Sequence, residues 1–263
     1  MKKLVSIVCF ALMMLSCVGQ KDDPERETGP DYVIDEPSLV PGESGLFFRR
    51  SLILDFTGTW CVHCPKMEAA IEEVLSRRPG RIIPVSVHCF SSDPMALMPF
   101  SQNLAKRFGV TAYPSAVIDM DPSTLTNMSS AELLLSQLSN LWAIRVKVSG
   151  ICVHSSVVDG KLKADIEATV VCDGDYSLHL LVLEDRIVAA QTGGSENHIH
   201  DNVHRGWYDS DIYPGIRKGE KIGWETSVEA TPGQRIVAIV CRNDLVDNVT
   251  ECPYGEDVPY HYE

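Results

Sequence analysis

The chain has no surplus of basic residues, no second pair of closely spaced cysteines, and no apolar run long enough to cross a membrane as a helix. Each absence removes a class of function. With 23 Lys and Arg against 36 Asp and Glu, the formal net charge is −13. Nucleic acid and anionic lipid surfaces are held through a basic face, so neither is expected as a partner bound by charge. A spanning helix needs roughly 20 apolar residues; the longest near-continuous run, residues 4–15, falls well short. A structural zinc site needs four ligands, usually two from a second Cys-x-x-Cys pair. Cys61 and Cys64 are the only cysteines at that spacing.

What is present at the start reads as export. Lys2 and Lys3 precede the apolar run, and Ser16 lies before Cys17, the layout of a signal segment over residues 1–16. Met14-Leu15-Ser16-Cys17 resembles a bacterial lipobox, which implies acylation of Cys17 and a lipid tie to the membrane. The alternative is an ordinary cleaved signal with an incidental cysteine. Residues 17–45 are rich in Asp, Glu, Pro and Gly, a composition that cannot bury enough surface to offset chain entropy, so a lipidated flexible tether is expected there. Lys21-Asp22-Asp23 resembles a short export signal of surface lipoproteins, or is simply solvated charge. Removing Lys2 and Lys3 leaves 21 of the 23 basic side chains against 36 acidic ones, a net of −15.

Nine cysteines suggest an oxidising compartment. Cys9 leaves with the signal and Cys17 takes the lipid, so Cys61, Cys64, Cys89, Cys152, Cys172, Cys241 and Cys252 remain. An odd number leaves at least one thiol unpaired. Cys152 with Cys172 and Cys241 with Cys252 are possible pairs, but four cysteines allow three connectivities.

Residues 46–144 alternate strand and helix patterns. Strands are expected at 51–56, 81–87 and 115–119. Helices are expected at 66–78, with Met67, Ile71, Val74 and Leu75 on one face, at 94–108, and from Ser129 with Glu132 closing a capping box. This is an α/β layer with a mixed sheet. Residues 145–263 read as strands only, at 146–153, 161–172, 177–183, 186–191, 221–230 and 235–241, with a hairpin turn at Asp159-Gly160 and turns at Asp173-Gly174 and Pro232-Gly233. The expectation is a second, all-β domain, an immunoglobulin-like sandwich.

The chemistry-bearing segment runs from Asp55 through Trp60-Cys61-Val62-His63-Cys64-Pro65-Lys66. Two cysteines at a helix start close a small disulfide ring, and the helix amides and dipole favour a thiolate on the first. Cys61 is then the attacking nucleophile and Cys64 the resolving thiol. A static disulfide is the plain alternative. The segment resembles the thioredoxin active site, and Phe108-Gly109-Val110-Thr111-Ala112-Tyr113-Pro114 resembles that family's second landmark, which implies a cis peptide before Pro114. The resemblance implies that Asp55 is the buried acid that takes the Cys64 proton, and that Trp60, His63, Tyr113 and Pro114 align substrate. The lysine that thioredoxins place on the next strand is missing; His88 is a candidate substitute. This chemistry needs no metal or cofactor, only protein or peptide thiols and disulfides and a redox partner to reset the pair.

The residues between the cysteines resemble those of the disulfide oxidase DsbA and protein disulfide isomerase, and His63 favours the Cys61 thiolate. The pair should therefore be more oxidising than thioredoxin's, with about 30 mV per roughly 1.4 kcal/mol. Equilibration with glutathione measures this, and a potential at or below thioredoxin's refutes it.

Further on, Glu184-Asp185, Gln191-Thr192-Gly193 and His200-Asp201-Asn202-Val203-His204-Arg205, with the earlier Thr57-Gly58-Thr59-Trp60 and Asp93-Pro94-Met95 segments, resemble the outer-membrane lipoprotein family Omp-twenty-eight. That implies a thioredoxin-like domain followed by a β-domain in a bacterial envelope lipoprotein, facing the periplasm or the cell surface. It leaves two functions open, a thiol–disulfide oxidoreductase or a surface binding and adhesion lipoprotein that uses the first domain as a scaffold. His198, His200 and His204 have the spacing of a metal site, but polar bonding within a long connection is the plainer reading. Trp207, Tyr208 and Tyr213 either line a surface or pack in a core.

Overall fold

The computed structural model describes residues 36–263, which belong to one compact unit. The signal segment, Cys17 and residues 17–35 of the expected tether lie outside the described residues. The last part of that tether, residues 36–45, is not free chain. Ser38 and Tyr262 exchange backbone hydrogen bonds of 2.9 and 2.8 Å, and Glu263 N donates to Leu46 O at 2.9 Å. The C-terminus therefore pins the segment that leads into the fold.

Strand β1 (Ser51–Thr57) is buried throughout, with Leu52, Leu54 and Phe56 on one face and Ser51, Ile53, Asp55 and Thr57 on the other, as a strand covered on both faces must be. Strand β2 (Ile82–His88) runs parallel to it from Ser51↔Ile82 to Thr57↔His88, and β3 (Ser115–Ile118) runs antiparallel from Ile53↔Ile118 to Phe56↔Ser115. Helix α1 (Cys64–Arg77) places Met67, Ile71 and Val74 on one sheet face, beside Leu134, Leu135 and Leu138 of α3 (Ala131–Ile144). The opposite face carries Leu52, Leu54 and Phe56 beneath Leu104 and Ala105 of α2 (Phe100–Arg107). This β–α–β–α–β–α layer is thioredoxin-like.

Two helix starts differ from the sequence expectation. Helix α2 begins at Phe100 rather than residue 94, because Pro99 lacks an N–H and its ring keeps the preceding residue out of the helical region. Helix α3 is capped by Ser130, not Ser129: Ser130 Oγ accepts from Leu133 N at 3.3 Å. Glu132 reaches Arg77 Nη1 at 2.8 Å instead of closing a capping box.

The second half is built from β4 (Gly150–Val158), β5 (Lys161–Thr169), β6 (Gly174–Glu184), a β7–β8 hairpin (Ile187–Ala189, His198–His200), β9 (Val203–Asp209), β10 (Tyr213–Ile216), β11 (Lys221–Val228), β12 (Gln234–Arg242) and β13 (Leu245–Pro253). β5 alternates buried Leu162, Ala164 and Ile166 with outward Lys163 and Asp165, the period-2 signature of a half-buried strand. The sheet β11-β5-β4 packs that face on Leu178, Leu180 and Val182 of β6 and Ile236, Ala238 and Val240 of β12. Two sheets thus enclose one core.

The expected cut at residues 144/145 does not separate two sheets. β9 pairs with β2 at Ser86↔Val203 and with β6 from His179↔Asp209 to Glu184↔Val203, so one sheet runs β13-β12-β6-β9-β2-β1-β3, with β10 pairing beside β6. The core beneath α2 continues into Leu181, Leu183, Val237 and Ile239. β9 and β13 are absent from the sequence reading because polar side chains interrupt their apolar pattern. In β13, Asp247 accepts from Ser149 N, while Asn248 donates to Phe48 O and Ser149 O and accepts from Arg50 N. Buried polar residues of this kind are held because every bond is made. Among the described residues, no helix is long and apolar enough to cross a membrane.

Candidate functional site

The chain leaves β1 through a tight turn at residues 58–63 and enters α1 at Cys64, with Pro65 in the first turn where no N–H is missed. Cys61 N donates to Gly58 O at 3.0 Å, and Cys61 and Cys64 form a disulfide with their Cα atoms 5.5 Å apart. The first helical residue is Cys64 and its cap is His63, whose side chain makes no capping bond. Cys61 therefore stands ahead of the helix end, and His63 and Val62 point to solvent between the two sulfurs.

Both cysteines are covered, Cys61 to 4% exposure and Cys64 to 2%. Residues 191–194, between β7 and β8, lie against the backbone of this turn. Gln191 Nε2 donates to Cys61 O at 2.9 Å and to Gly58 O at 3.3 Å, and Thr192 N donates to Thr59 O at 2.8 Å. Gly193, at φ +80°, lies so close to the Val62 backbone that a Cβ would overlap the Val62 carbonyl. Gly193→Ala should cost about 1–3 kcal/mol through backbone strain and loosen this strap. The measurement is the rate at which dithiothreitol reduces Cys61–Cys64, followed by alkylation. An unchanged rate would mean that the strap does not guard the disulfide.

Around the turn stands an aromatic trio. Trp60, 39% exposed, donates through Nε1 to Cys89 O at 3.1 Å and meets Phe90 edge-on at 4.8 Å and Tyr113 at 5.5 Å. Phe90 is 44% exposed and sits at φ 76°, a left-handed conformation that is strained for an aromatic residue and typical of functional sites. The Tyr113–Pro114 peptide is cis and Pro114 is buried. Cys89 is a buried free thiol, pushed up to about 11 by burial.

Asp55 is buried on β1 opposite Ser86 and Ala116, and burial, reinforced by the Glu68 carboxylate, pushes its acid up to about 8. Its Oδ1 has no hydrogen-bond partner. His88 Nδ1 lies 3.0 Å from Asp93 Oδ2. Asp93 also accepts from Thr59 N at 2.7 Å and from Met95 N at 2.9 Å. Burial opposes its ionisation, yet His88 and the two amides hold it below the usual carboxylate range. Asp93 thus ties the cysteine turn to the end of β2, a role the sequence reading did not assign.

The three histidines spaced for a metal stand on β8 and β9 rather than in a loop; the His198 and His200 rings lie 4.6 Å apart, while His204 has other partners. His198 Nε2 pairs with Glu68 at 2.9 Å, His200 is buried against His88 with ring centroids 5.4 Å apart, and His204 packs between Phe100 and Trp207. Among the described residues, no group of three or more His, Cys, Asp or Glu is arranged to hold a metal. Trp207 packs on the core beneath α2, and Tyr208 and Tyr213 pack on the sandwich core. The possible pairs Cys152–Cys172 and Cys241–Cys252 do not form; all four are free, and Cys241 and Cys252 face different cores. Sequence reasoning did not assign Glu68 to the site and placed Gln191 and Asp93 only within segments of a family resemblance, although Glu68 lies one helical turn beyond Cys64, where it must share its face.

Comparison with known proteins bears on the fold. No protein-family model matches the chain, and no curated protein matches it in sequence. HBP35 of Porphyromonas gingivalis superposes with a TM-score of 0.66 at 14% identity, over 81% of this chain and 77% of that one. A structural-genomics protein of Agrobacterium tumefaciens superposes at 0.58 and 9% identity, over 78% and 94%. At such identities the likeness is one of architecture, and the chain carries its thioredoxin-like layer and disulfide within an architecture similar to HBP35's.

Proposed function

We propose that the protein is a thiol–disulfide oxidoreductase of the bacterial envelope, tied to the outer membrane by a lipid on Cys17 and acting on protein or peptide disulfides. The observation that carries this reading is a closed Cys61–Cys64 ring at the mouth of α1, with a buried carboxyl of raised pKa, Asp55, behind it. In the reducing direction the Cys61 thiolate attacks a substrate disulfide and one substrate thiolate leaves. Cys64 gives its proton to the Asp55 carboxylate and attacks Cys61 Sγ, releasing the second substrate thiolate and closing the ring. Two electrons pass from the dithiol to the substrate, and a separate dithiol resets the pair. Trp60, Tyr113 and Phe90 offer an apolar platform for the chain around the substrate cysteine, with His63 and Pro114 aligning it.

A second reading, a binding lipoprotein on a thioredoxin-like scaffold, draws on the covered state of both sulfurs and on the Gln191 bonds that hold the cover. Dithiothreitol-dependent reduction of insulin by the full chain, beside its Cys61→Ser variant, separates the two. Turnover that depends on Cys61 supports the oxidoreductase, and equal rates in both proteins leave the binding reading.

A further inference from the structure

Behind Cys64 lies a small cavity of about 20 Å³, room for one water molecule. Asp55, Cys64, Glu68, His88, His200 and Asp201 are among its walls. Two of them bring a buried polar atom with no protein partner, Asp55 Oδ1 and His200 Nε2. Orphaned buried polar atoms on a shared cavity call for a water between them. His200 bonds the Ala189 backbone and is held neutral, near 4, first by burial and then by His88 and His198. It is therefore an acceptor toward the cavity and not a carrier of charge.

Besides Asp201, whose Oδ1 accepts from Arg186 N at 2.7 Å, the other carboxyl on the cavity is Glu68. Its side chain is 34% exposed, and His198 Nε2 lies 3.1 and 2.9 Å from its two oxygens. Burial raises its pKa and His198 counters this. The charged or titratable groups around the two carboxyls are Glu68 and Glu72 from α1, His88 and Asp93 from β2 and its loop, and His198, His200 and Asp201 from β8 and its exit. Glu68, itself paired with His198, joins the cavity wall to open solvent.

We propose that Glu68 and His198 form the outlet of a proton path that starts at Cys64 and Asp55 and crosses this cavity through one water, with His200 as its fixed acceptor wall. The proton that Asp55 takes from Cys64 passes by the water to a Glu68 oxygen and leaves to solvent beside His198. Half of the redox site is then supplied by the β7–β8 hairpin. The inference rests on the oxidoreductase reading and deepens it, because a pair that cannot shed the Cys64 proton cannot close its ring.

The test uses the reduced full chain and dithiobis-nitrobenzoate, a chromogenic aryl disulfide. Attack by Cys61 releases one aryl thiolate, and ring closure by Cys64 releases the second. Glu68→Ala should leave the first release unchanged and slow the second about tenfold at pH 8, where Asp55 is partly ionised and can take the Cys64 proton. The gap should narrow toward pH 10 as hydroxide takes over, and formate or acetate should restore the rate. His198→Ala should respond to imidazole in the same way. A second phase unchanged in Glu68→Ala, or slowed but indifferent to added carboxylate, overturns the outlet while leaving the oxidoreductase intact. Absence of the first release in the unmodified chain overturns both.

Discussion

Asp55→Asn will make the oxidised protein more stable at pH 9 than the parent, by about 3 kcal/mol, and the advantage will vanish near pH 4. The sign follows from where the proton sits. An Asp ionises near 3.8 in the unfolded chain and at about 8 in the fold. Between those values the native state holds a proton that the unfolded state has lost, so stability falls as pH rises through the window and levels above it. Four units correspond to roughly 5–6 kcal/mol, against which the unpartnered buried amide of the asparagine costs about 1–3 kcal/mol. Urea unfolding at pH 4, 6.5 and 9 measures the slope, and parallel slopes in the two proteins would show that Asp55 is already ionised inside. The same variant should slow ring closure, since the group that takes the Cys64 proton is gone. An acid that destabilises its own fold and yet speeds one step is the usual bargain of a functional site.

Cys61→Ser should lower insulin reduction by at least about a thousandfold, because the sulfur that makes the attack is gone. Cys89, Cys241 and Cys252 are buried, and burial pushes all three thiols up, Cys89 and Cys252 to about 11. Cys64→Ser should differ in kind: the attack still occurs, and the substrate stays attached to Cys61 as a mixed disulfide visible by mass. Opening so short a ring removes only about 2 kcal/mol of unfolded-chain constraint, so both variants should fold. If Cys64→Ser accumulates no adduct while Cys61→Ser does, the two roles are reversed.

The parts of this architecture legible in the sequence are those whose signals are local. β1, α1 and β2 announce themselves by apolar runs and helical spacing, and Cys61, Cys64, Asp55, Trp60 and Pro114 by short motifs. Pro99 was a local signal too, and reading through it lengthened α2. Gln191, His198 and His200 are visible in the sequence, but their place at the redox site is not: they reach Cys61, Glu68 and the cavity from 130 or so residues away. The pairing of Ser86 with Val203 and the hairpin before it bring them there. No spacing in the chain encodes that meeting, because it depends on β9 slotting beside β2, and β9 carries His204, Arg205 and Gly206 where an alternating strand would show apolar residues. The Cys152, Cys172, Cys241 and Cys252 thiols were equally opaque, since distance in sequence says nothing of which sheet face a cysteine meets.

That shared sheet has a further meaning for the redox centre. In a modular protein the catalytic piece can be lifted out and grafted elsewhere. Here a cut before β4 would strip β2 of its neighbour, leave a raw edge of unpaired amides open to sticking, and take away the wall, the strap and the acid's histidine companions together. The centre is a seam between two stretches of chain, and it exists only while both are sewn in.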